Sequence, residues 1–138
     1  MNYLLDTCLL SEFMKREEDR GVIAWFAAQD DETLYISVLA IGEIRKGIAK
    51  LGTTKRSAEL RSWLDSVVVR FDRRILPFDI STANRWGDLK ADLETKGWPI
   101  PVIDSLMAAT ALEHDLTIVT RNENDFAQTG VKVLNPWR

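Results

Sequence analysis

Apolar and polar positions alternate along this chain in short blocks of two kinds. Tyr3-Leu4-Leu5 is a brief apolar run that stops at Asp6, the pattern of a buried strand. Thr7 or Ser11 is placed to cap a following helix, whose apolar positions are Leu9, Leu10 and Phe13. Val22, Ile23, Trp25 and Phe26 predict a second helix, closed by Asp30-Asp31-Glu32, and Leu34-Tyr35-Ile36 predicts a second strand. From Val38 to Leu51 the apolar residues Ile41, Ile44, Ile48 and Leu51 step by three and four, one stripe of a helix, with Gly52 as its stop. Leu60, Trp63, Leu64 and Val67 make the next helical stripe, and Ile75 to Phe78 reads as extended because Leu76 precedes a proline.

The second half continues in the same way. Ser81 to Lys96 predicts a helix through Ala83, Trp86, Leu89 and Leu93, and Gly97 to Pro101 a loop. Val102 to His114 predicts an alanine-rich helix, Leu116 to Thr120 a strongly β-branched strand, and Val131 to Leu134 the last strand. Strands alternating with helices specify an α/β sandwich with a central, mainly parallel sheet. Sites in such sheets form beyond the carboxyl ends of strands. Asp6 follows one strand end, and Arg121, Asn122 and Asp125 follow another.

Length and composition set the outer limits. A chain of 138 residues, 46% hydrophobic and 28% charged, suits one globular domain spanning 1–138. No apolar run approaches the roughly 20 residues of a membrane span. The start has no basic segment and carries Asp6, so a secretory signal is not expected. One cysteine, Cys8, excludes an internal disulfide framework and fits a reducing cytoplasm. The net charge of −3 hides an uneven distribution. Residues 45–74 hold nine basic and three acidic side chains, so this window is basic on an acidic body.

Four acids are candidates for chemistry, and each has a plain structural reading beside the functional one. Asp6 at a strand end is also a natural helix N-cap. Glu43 on the 38–51 helix is also an exposed partner for Lys46. Asp104 in the first helical turn complements the helix dipole, although Ile100, Val102, Ile103, Leu106 and Met107 make its surroundings apolar. Asp125 lies in a polar loop. If the four converge, each pair in contact repels by about 4 kcal/mol at an effective dielectric of 20, so the fold needs protonation or a cation there. An all-oxygen ligand set selects a hard ion, Mg²⁺ or Mn²⁺, which suits displacement at phosphorus. Other chemistries are poorly served. His114 is the lone histidine and ends a helix, so zinc and Cys/His sites lack ligands, and no glycine-rich phosphate loop is present.

The motifs carry a resemblance across essentially the whole chain. Leu4-Leu5-Asp6-Thr7-Cys8, Ser37 to Gly47 around Glu43, Pro101 to Ala111 around Asp104, Val119 to Phe126 around Asp125, and the ending Val133-Leu134-Asn135-Pro136-Trp137 occur in order. Together they resemble a PIN-domain ribonuclease toxin of the VapC type. The resemblance implies a PIN-like α/β/α sandwich and an Mg²⁺- or Mn²⁺-dependent endoribonuclease, with a structured RNA such as tRNA as the family's substrate class. Asp6, Glu43, Asp104 and Asp125 would be its acidic quartet, with Asp6 and Asp104 as direct metal ligands. Thr7, Ser11, Thr120 and Asn122 would support them by hydrogen bonds. The resemblance also implies a homodimer or a larger complex with a VapB-type antitoxin, which alone would carry the DNA contacts. Many members have Asn where this chain has Cys8, and a thiol is the poorer hydrogen-bonding group.

Arg45, Lys46 and Lys50 share a helix with Glu43 and are expected to draw an RNA backbone toward acids that would otherwise repel it. Trp98, in the loop before Asp104, is the tryptophan expected to touch substrate or antitoxin. A catalytically silent module binding RNA or a protein partner is the alternative reading, and a DNA nuclease or phosphatase a further one.

Overall fold

The computed structural model describes residues 1–138 as five short parallel strands and seven helices. The strands are β1 (Tyr3–Leu5), β2 (Leu34–Ser37), β3 (Ile75–Leu76), β4 (Thr117–Val119) and β5 (Val133–Leu134). The helices are α1 (Thr7–Glu12), α2 (Arg20–Ala27), α3 (Val38–Ala49), α4 (Lys55–Arg70), α5 (Ile80–Thr95), α6 (Val102–Glu113) and α7 (Glu123–Phe126). The sheet order is β3-β2-β1-β4-β5 and every pairing is parallel, so the mainly parallel expectation becomes wholly parallel. Leu4 faces Tyr35 on one side and Ile118 on the other, in the middle of the sheet.

This order positions the site. The chain runs outward from β1 through β2 to β3, then returns to place β4 on the other side of β1. Right-handed crossovers therefore put α1 to α4 on one face and α5 to α7 on the other. The packing agrees: α3 contacts α1 and α4, and α6 contacts α5 and α7. The order reverses between β1 and β4, where neighbouring connections leave in opposite directions and open a crevice at the carboxyl edge. The central strands are buried on both faces: Leu4, Leu5, Ile36, Ile118 and Val119 are all inaccessible. Each such side chain contributes about 1.5–3 kcal/mol over its exposed state, which fixes the strand ends the site is built on.

Local starts and stops differ from the sequence expectations in instructive ways. Neither Thr7 nor Ser11 caps α1. Asp6 does, its Oδ1 accepting the Thr7 N–H at 2.8 Å, so the helix begins one residue after the strand. Ser37 caps α3 and Asp79 caps α5, which starts at Ile80 rather than Ser81. Helix α3 ends at Ala49, and Gly52 takes the left-handed conformation (φ +68°) only three residues later. The loop 122–126 contains a single helical turn, α7, that its polar sequence did not signal. No helix is long and apolar enough to cross a membrane.

Candidate active site

The crevice between β1 and β4 holds a cleft of about 350 Å³. Asp6, Glu43 and Asp104 line it, three carboxylates from three different elements. Asp6 stands directly past β1. Glu43 lies on the second turn of α3, which leaves the same edge of the sheet after β2. Asp104 is in the first turn of α6, which runs antiparallel to the strands and so starts at their carboxyl edge. Topology alone thus brings together residues separated by up to 98 positions.

Asp6 is the most enclosed of these acids, 3% exposed. The Thr120 hydroxyl donates to its Oδ2 at 2.7 Å, while its Oδ1 accepts the Thr7 N–H. The Cys8 thiol also donates to Oδ2, at 3.6 Å, and lies 3.3 Å from the Thr120 hydroxyl. Thr120 in turn accepts the Asn122 N–H at 3.1 Å. Burial pushes the Asp6 carboxyl above its ordinary range; the Thr120, Thr7 and Cys8 hydrogen bonds oppose that shift without cancelling it, and the Glu43 charge adds to it. Cys8 is pushed up to about 11, by burial first and then by the Asp6 charge. The thiol therefore stays protonated and serves Asp6 as a weak donor.

Asp104 is pushed up from 3.8 to about 7. Burial is the largest cause, followed by a hydrogen bond shared with Asp125, and then the charges of Asp6, Asp125 and Glu43. Asp125 thus completes the group through Asp104, from α7, although it lines the adjoining depression rather than the cleft itself. Glu43 is tied to Lys46 at 3.5 Å on the outer side, as their spacing predicts. The group has one consistent electrostatic feature: carboxylates are held close together without enough cations to neutralise them. Hard oxygen donors in charge deficit fit Mg²⁺ or Mn²⁺. No three Asp, Glu, His or Cys side chains stand close enough to cage an ion on their own.

The supporting residues divide. Thr7, Ser11 and Asn122 line the cleft, and Thr120 binds Asp6 directly. The Thr7 hydroxyl is buried without a partner. Arg45 on α3 and Lys50 just past its end are exposed, and neither they nor Lys46 line the cleft. Trp98 does not line it either; its backbone N–H closes the end of α5 on the Leu93 carbonyl at 2.9 Å, and its half-buried ring has an enclosed indole N–H. The cations that do line the cleft are Lys15 and Arg121. Behind them lies Glu12, 3% exposed and passed over in the sequence because it sits in the apolar stripe of Leu9, Leu10 and Phe13. An acid inside an apolar helical face was the available signal.

Comparison with known proteins agrees with this architecture. Residues 3–132 match the PIN domain family. The chain is 38% identical over 135 residues to "VapC ribonuclease Y4jK" of Sinorhizobium fredii, covering 97% of this chain and 96% of that protein. It is 36% identical over 135 residues to "Toxin FitB" of Neisseria gonorrhoeae, covering 97% of each. The crystal structure of FitAcB from Neisseria gonorrhoeae superposes with a TM-score of 0.93 at 35% identity, over 99% of both chains. The structure of FitAB bound to an IR36 DNA fragment superposes with a TM-score of 0.93 at 34% identity, over 99% of this chain and 96% of that one. By fold, by motif order and by the whole-length match to these relatives, the chain belongs to the PIN domain family, among its VapC-type toxins.

Proposed function

We propose that this protein is an Mg²⁺- or Mn²⁺-dependent endoribonuclease and the toxin of a type II toxin–antitoxin pair. The observation that carries the reading is the crowding of Asp6, Glu43, Asp104 and Asp125 at the switch point of the sheet, with Asp6 and Asp104 both displaced toward their protonated forms. Asp6 and Asp104 would hold a divalent ion, with Glu43 and Asp125 beside them, and that ion would supply charge neutralisation at the scissile phosphate and an activated water. The residues of the chain do the rest. Thr120 and the Thr7 N–H orient the Asp6 carboxylate from behind and leave its remaining lone pairs directed outward. Asp104, whose carboxyl is pushed up to about 7 by burial and by its acidic neighbours, can take up or release a proton near neutral pH. Arg45, Lys46 and Lys50 draw the polyanion toward the cleft from α3.

A structured RNA such as tRNA is the substrate class this reading favours, in the cytoplasm. The partner is a cognate VapB-type antitoxin, and contact with DNA runs through it, in a homodimeric or larger assembly. Leu10, Phe13, Phe26, Trp63, Val67 and Phe71, with Arg70 at their side, line a mainly apolar groove of about 100 Å³ between α1, α2 and α4. Such a groove suits an amphipathic helix of a partner.

The test is cleavage of a total tRNA and rRNA pool by the antitoxin-free protein. Wild type and Asp104→Asn are run side by side with Mg²⁺, with Mn²⁺ and with EDTA. Discrete fragments from wild type with metal only are expected. Salt-sensitive binding without cleavage would replace this reading with the silent binding module, and equal cleavage by Asp104→Asn would refute the site.

A further inference from the structure

Within the acid cleft only two side chains carry positive charge, Lys15 and Arg121. Both heads are exposed, yet Lys15 is held from below by Glu12 and Arg121 by Trp137, two residues that are bonded to each other. The Lys15 Nζ lies 3.1 Å from Glu12 Oε1. The Arg121 guanidinium stacks over the Trp137 ring, 5.5 Å from its centre. The Trp137 indole N–H donates to that same Glu12 Oε1 at 3.2 Å, and the Asp19 N–H donates to Oε2 at 3.0 Å. Glu12 is thus a buried carboxylate with three donors. Burial pushes its pKa up, but the bonds from Lys15, Asp19 and Trp137 outweigh this and hold it below its ordinary range. A buried charge is retained only when it is fully partnered, so this carboxylate fixes what surrounds it.

The anchor depends on the C-terminal tail. The Trp137 N–H donates to Asn135 Oδ1 at 3.0 Å, Asn135 donates to Glu123 at 3.0 Å, and the Arg138 N–H donates to Asp19 at 3.3 Å. At Gly21 the tail passes so close that a Cβ would stand 2.2 Å from the Pro136 carbonyl oxygen. The tail therefore lies tight against α2 and delivers the Trp137 ring under Arg121.

An acid cleft repels phosphate, and an RNA backbone entering it needs a cation at the rim. A guanidinium held over an aromatic ring and exposed to solvent can grip a phosphate with two bonds, whereas the ammonium of Lys15 acts as a point charge. We propose that Lys15 and Arg121 form a cationic rim that seats an RNA phosphate beside the acids, with Glu12 as the positioning residue for Lys15 and Trp137 as the positioning residue for Arg121. This rests on the ribonuclease reading for the identity of the polyanion, but it can fail independently.

The test measures binding of a fluorescein-labelled single-stranded RNA to the Asp104→Asn protein in EDTA, by anisotropy across a salt series. Each phosphate contact contributes about 0.7 to the slope of log K against log salt for a single strand. Lys15→Ala and Arg121→Ala are each expected to weaken binding about tenfold and to lower the slope by about 0.7. Lys55→Ala, exposed and outside the cleft, is expected to change neither. Trp137→Ala is expected to weaken binding about threefold in the Arg121 protein and to have no further effect in Arg121→Ala, while Trp137→Phe retains most of the affinity. A purely structural Trp137 would lower binding equally in both backgrounds, which would remove it from the proposal. Unchanged affinity and slope in Lys15→Ala and Arg121→Ala would overturn the rim while leaving the ribonuclease reading intact. RNA binding with the expected slopes, alongside a wild-type protein that never cleaves with Mg²⁺ or Mn²⁺, would sink the nuclease reading and keep the rim. No RNA binding at any salt would overturn both.

Discussion

Asp104→Asn should stabilise the metal-free protein, and by an amount that grows with pH. The Asp104 carboxyl is raised from 3.8 to about 7 in the fold, so the folded state keeps a proton that the unfolded chain releases. A raised acid contributes stability that is fully present below pH 4 and is lost as pH rises through 7. At 1.36 kcal/mol per pH unit the interval corresponds to about 4 kcal/mol. Asp104 is only partly buried and faces an open cleft, and solvent screening reduces this to about 2 kcal/mol. Asparagine cannot ionise, and its amide can still donate to Asp125. Urea unfolding followed by tryptophan fluorescence in EDTA should place the two proteins together at pH 4.5. At pH 8 they should stand about 1 M apart in midpoint, with the variant the more stable, taking about 2 kcal/mol per molar urea. Saturating Mg²⁺ at pH 8 should close the gap by binding the folded wild type. Equal midpoints at both pH values in EDTA would refute the claim that repulsion and burial load this carboxyl.

Three further outcomes follow from particular contacts. Gly21→Ala should destabilise by about 2 kcal/mol or more, seen as a lowered urea midpoint, because the new Cβ meets the Pro136 backbone at 2.2 Å and the Arg138 side chain at 2.6 Å. Thr120→Val should lower metal-dependent cleavage at least tenfold while leaving the melting temperature within a few degrees, because it removes the 2.7 Å bond that orients Asp6. Cys8→Asn should raise the cleavage rate modestly, about twofold to threefold, by giving Asp6 a stronger donor than a thiol at 3.6 Å.

Much of this arrangement is legible in the residues, and the reasons are physical. Strands β1, β2 and β4 announce themselves because burial on both faces demands near-continuous apolar runs. Asp6 and Asp104 stand out because a charge beside such runs needs a reason. Pairing across the sheet brings Asp6 to Thr120, 114 positions apart, and no local pattern encodes that. One residue can serve two ends: Asp6 both caps α1, as its strand-end position allows, and lines the cleft, so the plain and the functional readings of it hold together. The basic window drew attention to α3, yet the cations at the cleft come from the end of α1 and the end of β4, one residue each, too sparse to register as a charge cluster. Glu12 is the clearest omission, since its meaning depends on Trp137 at the far end of the chain.

The central claim is that Asp6 and its neighbours cut RNA with a divalent ion. Its most direct measurement is the initial rate of cleavage of a single-stranded RNA against Mn²⁺ concentration, for wild type and Asp6→Asn at equal protein concentration. Saturable activation of the wild type is expected, with no cleavage in EDTA and none by the variant at any Mn²⁺ concentration. Cleavage that persists in EDTA, or an Asp6→Asn curve that overlays the wild type, would contradict it.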